Sequence, residues 1–98
     1  MIENRAKFYG NNKTKVLSYC VLTSFIDGYK PTKDEIKKAK LGGLNGFFEL
    51  YDDDDIKYYS GYANFDMISE FTILDRAMNY AGCTYIKTRN KSGKMEIV

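Results

Sequence analysis

The sequence predicts an α+β protein: a small antiparallel sheet of four to five strands carrying two helices. Three stretches predict it. GFFELYDDDDIKYYSGYA, residues 46–63, sets two β-prone runs on either side of a polar turn. KPTKDEIKKAKLGG, residues 30–43, has the start and stop signals of a helix. MISEFTILDRAMNY, residues 67–80, places apolar side chains at helical spacing.

Taken in order, KVLSYCVLTSFI (residues 15–26) is apolar enough to be buried but has no clear period. Its β-branched and aromatic content favours a strand over its first half. Its length would also suit a helix, and the residues alone leave that choice open. Thr32 then caps a helix, with Glu35 three residues on to return the hydrogen bond, and Gly42–Gly43 supply the left-handed stop. The hairpin of residues 46–52 and 56–63 follows. A second helix is expected between Ser69 and Ala81, stopped by Gly82. TYIKTRNKSGKMEIV closes the chain as a second hairpin turning at Asn90–Gly93. The order is β-α-β-β-α-β plus a last strand, close to a split βαβ arrangement with both helices on a single face of the sheet. If residues 15–26 are helical, the alternative is a helical N-terminal half followed by β-hairpins, like a winged helix.

Ninety-eight residues make a single globular domain, 1–98. With 44% hydrophobic and 29% charged residues, the chain belongs with ordinary soluble proteins and not with disordered ones. No apolar run approaches the roughly 18–20 residues of a membrane span. The opening MIENRAKFYGNN lacks the apolar segment of a secretory leader, so a cytoplasmic protein is expected. Cys20 and Cys83, the two cysteines, are then expected to sit reduced in the core. Lysine outnumbers arginine 12 to 3, and Asn, Ile and Tyr are frequent, which suits an AT-rich genome such as that of a phage of a low-GC bacterium.

Catalysis is not expected. The chain has no histidine, the usual acid–base group near neutrality, and no phosphate-binding loop, dinucleotide fingerprint or nucleophile elbow. Asp66, Glu70 and Asp75 are close in sequence but need not share a site. No cofactor and no metal site are expected, because two thiols without histidine do not make the usual zinc set. Asp52–Asp55 lack the alternating ligands and glycine of a calcium loop.

The charges point to binding. Residues 49–75 hold eight acids against Lys57 alone, whereas both flanking segments are basic, so an overall charge of +2 conceals a polarised chain. Nine tyrosines and six phenylalanines exceed what so small a core needs, and tyrosine is common at interface hot spots. The first expectation is a protein-binding module whose acidic, aromatic hairpin (Glu49, Tyr51, Asp52, Asp53, Asp54, Asp55, Tyr58, Tyr59 and Tyr62) engages a basic surface. The partner would be a host nucleic-acid-processing or defence protein, and the role that of a phage or mobile-element inhibitor resembling an anti-CRISPR. The alternative is a small nucleic-acid-binding protein using Lys33, Lys37 and Lys40 of the first helix with Lys87, Arg89, Lys91 and Lys94 of the last hairpin. Gly61-Tyr62-Ala63 also partly matches the aromatic strand of RNA-recognition motifs, although Ser60, Asn64 and Phe65 depart from it. A structural or virion-associated assembly, including a homodimer, is the third expectation.

Overall fold

The computed structural model describes residues 6–11 and 13–98; the stretch expected to lack a secretory leader falls partly outside them, at residues 1–5 and 12. The elements are β1 (Lys7–Asn11), β2 (Val16–Ser24), α1 (Lys33–Leu41), β3 (Gly46–Tyr51), β4 (Lys57–Ala63), α2 (Glu70–Ala81), β5 (Tyr85–Arg89) and β6 (Met95–Ile97). The strands form one six-stranded sheet in the order β1-β2-β4-β3-β5-β6. Every pairing is antiparallel. The α+β class is therefore the observed one, with six strands where four to five were expected. The extra strand is β1, KFYGN, whose Gly and Asn weaken its β signal and which pairs only along one edge.

Within residues 15–26, Val16–Ser24 form a strand, so the winged-helix alternative is overturned. Their weak period has a physical cause. Tyr19 packs into one buried cluster and Cys20 into another, so both faces of β2 are covered and no polar alternation remains. The same parity places the helices. Ile73, Leu74, Ala77 and Ala81 of α2 pack with Tyr19, Phe48, Leu50 and Ile86, whereas Ile36 and Ala39 of α1 pack with Cys20, Leu22 and Phe8. Successive strand residues point to opposite faces. The helices thus lie on opposite faces of the sheet, not on a single face as expected. The two thiols are buried in different clusters and are free. Burial lifts each of them to about 11, which keeps them protonated at neutral pH.

Local signals set the element ends. Thr32 accepts from the Glu35 N–H while the Glu35 carboxylate accepts from the Thr32 N–H, completing the capping box. Gly43, at φ 78°, provides the left-handed stop one residue after the Gly42 cap. Ser69 caps α2 and Gly82, at φ 80°, ends it. At Gly61 the sheet itself demands glycine: a Cβ there would lie 1.9 Å from the Cys20 carbonyl oxygen, where β2 bulges against β4.

Candidate functional site

Each helix covers only part of its face. α1 lies over β2, and Lys38 on one of its flanks reaches the Phe8 ring of β1, 4.3 Å from its centroid. On that side of the sheet β3 and β5 carry outward residues that no helix covers: Phe47, Tyr51, Tyr85 and Lys87 are half-buried among one another, and Arg89 is exposed. The parity of the β3–β5 register puts Phe47, Glu49 and Tyr51 on one face with Tyr85, Lys87 and Arg89, and Tyr62 and Lys57 of β4 join them.

The surface so formed interleaves rings and cations. Tyr51 and Tyr85 stack, with centroids 5.1 Å apart and planes 2° from parallel. Lys87 Nζ lies 4.7 Å from the centre of the Tyr51 ring, and the Arg89 guanidinium lies 4.8 Å from that of Phe47. Phe47 in turn meets Tyr62 at 5.4 Å. Each cation is thereby held at the surface by an aromatic face rather than by an acid. Lys57 is the exception: its Nζ is 2.6 Å from Glu49 Oε2, and that pairing raises its pKa. Glu49 also accepts from the Tyr51 hydroxyl at 3.0 Å, so the central acid is fully engaged and only 9% exposed. Lys87 and Arg89 therefore leave this face net positive.

α1 extends the positive field. Lys38 lies toward β1, and so does Glu35, which takes a hydrogen bond from the Ala6 backbone. Lys33, Lys37 and Lys40, at i, i+4 and i+7, form the opposite flank, the one turned toward the open half of the sheet. Lys91 and Lys94 stand exposed in and after the turn that follows Arg89. The second set of candidate residues thus lies on one side of the sheet and at its turn, around the rings of β3, β4 and β5.

The first set is divided. Tyr51, Tyr62 and Glu49 share the open face, but Tyr58 and Tyr59 pack on the other side, against the cluster under α2. The aspartates form the β3–β4 turn, where two of them build it. Asp52 Oδ1 accepts from the Asp54 N–H at 2.9 Å and the Ile56 N–H at 3.0 Å. The Ile56 N–H, opposed by desolvation and aided by the Tyr58 hydroxyl and the Asp54 N–H, holds the Asp52 carboxyl below its usual range. Asp55 takes the left-handed conformation at φ 62° and accepts from the Tyr85 hydroxyl. That hydrogen bond, ahead of desolvation and the aspartate charge, pushes the Tyr85 phenol up to about 12. Asp53 and Asp54 are exposed. The partial RNA-recognition match also changes meaning: Gly61 serves the β2–β4 approach, Ala63 is buried under α2, and only Tyr62 reaches the open side.

Sequence reading missed Phe47, Lys57 and Tyr85 as members of this face. Strand parity was visible for β3, but the β3–β5 pairing that brings Tyr85 and Lys87 alongside Tyr51 joins residues distant in sequence. Among the described residues, no group of three or more His, Cys, Asp or Glu side chains is placed to hold a metal ion, and no helix is long and apolar enough to cross a membrane. Fold and geometry together define an α+β sheet protein with a basic, aromatic face on one side of its sheet. No family model matches the chain, and neither a curated protein nor a solved structure is detectably similar to it.

Proposed function

We propose that the chain is a non-enzymatic cytoplasmic module that binds single-stranded nucleic acid on the open face of its sheet. The observation that carries this reading is the interleaving of Phe47, Tyr51, Tyr62 and Tyr85 with Lys87 and Arg89, beside the lysine flank of α1. Cations on a flat sheet neutralise phosphates, and rings among them offer stacking partners to unpaired bases. A duplex hides its bases from such a floor. The span of β4, β3 and β5 suits two or three bases, about the number that comparable sheets stack. Fluorescence anisotropy with a labelled single-stranded oligonucleotide and its duplex tests the reading. Binding of the single strand at low salt, weaker for the duplex, is expected. No binding, or duplex bound as tightly, would overturn it.

The protein-binding reading has an observation of its own, on the other side of the sheet. Phe71 and Met78 of α2 are 61% and 45% exposed, with Asp75 on the same outer face and Asp66 and Glu70 at its start. An apolar stripe among acids suits a basic partner protein, such as a nucleic-acid-processing or defence protein that the chain would inhibit. Affinity capture from a host lysate, with and without nuclease, separates the two. A protein retained after nuclease but lost on Phe71→Ser supports this second reading, and capture that vanishes with nuclease counts against it.

A further inference from the structure

The face under α2 holds a feature that neither reading uses. α2 packs over β3 and β5, and its flank bearing Ile73, Arg76, Ala77 and Tyr80 overhangs β2 and β1. Among the described residues, a cavity of about 310 Å³ lies beneath that flank, at the lower end of the range for small-molecule sites. Tyrosines make up a third of its walls. Tyr9 and Tyr19 stack at 4.5 Å with planes 11° apart, and Tyr59 and Tyr80 line it with them. Two cations meet these rings. The Arg76 guanidinium lies 5.6 Å from the Tyr19 ring centre and donates to the Tyr19 hydroxyl at 3.3 Å, and Lys7 Nζ lies 5.1 Å from the Tyr80 ring centre. Asp27 is the acid of the lining, and it accepts from Ser24 Oγ at 2.9 Å. Two cations against one engaged carboxylate leave the lining one positive charge in excess.

We infer that this cavity binds a small planar ring carrying one anionic group, a carboxylate or a phosphate. The outer rings, Tyr9, Tyr59 and Tyr80, would take the ligand's ring by stacking, and Arg76 and Lys7 would take its anion. Arg76 spends one N–H on Tyr19 and has others to offer in its planar fork. Burial raises the Tyr9 phenol, and burial with the Asp27 charge raises Tyr59 to about 12, so both remain protonated donors at neutral pH.

Chemical-shift mapping on the full chain tests this site. The probes are benzoate and phenyl phosphate, which carry ring and anion, phenol as the ring alone, and acetate and inorganic phosphate as the anion alone. Saturable shifts at Tyr19, Val21, Ile73 and Ala77 are expected with benzoate or phenyl phosphate, and whichever binds tighter identifies the anion. Phenol and the bare anions should bind at least about tenfold more weakly. Arg76→Gln should weaken binding by about the same factor, and Lys7→Gln, a change at an exposed side chain on the edge strand, should weaken it while leaving the melting curve in place. No saturable shift with either ring-bearing anion would overturn the proposal. So would phenol binding as tightly as they do, or affinity unchanged in both variants.

Discussion

At the scale of single residues, the acidic turn works mainly on itself. Asp52 and Asp55 hold the hairpin through the Ile56 and Asp54 N–H groups and the Tyr85 hydroxyl, which leaves Asp53 and Asp54 as its free-facing charges. The Asp55–Tyr85 contact can be tested without disturbing the backbone, because asparagine tolerates the left-handed conformation that Asp55 adopts. In the native protein Tyr85 should be among the last tyrosines to ionise, near the value of about 12. Asp55→Asn should bring it back toward 10.0, as followed by the tyrosine ring signals in a pH titration. The sign for stability follows: a folded value above the unfolded one gives a contribution fully present below pH 10.0 and lost as pH rises through about 12. Equal alkaline titrations of Tyr85 in both proteins would show that the contact is absent in solution. The composition announced a turn at these aspartates. It could not announce Tyr85 as their partner, because that residue arrives from a strand 30 positions away.

Elements with local signals were the legible ones. The capping box at Thr32 and Glu35, the stop at Gly82 and the hairpin around residues 52–55 all lie within a few residues of the signals that predict them. Thr32→Ala should therefore cost about 0.5–2 kcal/mol in denaturant unfolding, by freeing a first-turn N–H. Stability equal to the native protein's would mean that the cap contributes nothing. β1 and the full length of β2 were less legible, since an edge strand with Gly and Asn has little β signal and a strand buried on both faces has no alternation. The single-face placement of the helices failed for the same reason: the parity of β2 is readable only once its two neighbours are known. Gly61 shows how such long-range packing enters one position. Gly61→Ala would drive a Cβ into the Cys20 carbonyl, and a loss of about 1–3 kcal/mol or more is expected from forcing β2 and β4 apart. A variant as stable as the native protein would show that this pair can widen freely.

For the molecule as a whole, the sheet sets on two sides some of the charges that lie along the sequence. The lysines of α1, with Lys87 and Arg89, collect on one side, while α2 with Asp75 and the exposed Phe71 and Met78 lies on the other. Polarity along the chain was legible from composition. Tyr59 lies opposite Tyr62 by plain strand alternation, but the sorting of Tyr58 away from Tyr62 was not legible, because the bulge opposite Leu50 and Tyr51 shifts the register just where that side chain takes its face. The central claim is that the open, basic face binds single-stranded nucleic acid through phosphate contacts from Lys87 and Arg89. The salt dependence of single-strand binding, compared between the native protein and the Lys87→Ala/Arg89→Ala double variant, tests it most directly. Each phosphate contact contributes about −0.7 to the slope of log affinity against log salt, so losing two should flatten that slope by about 1.4. A double variant with the native slope and the native affinity would contradict the account.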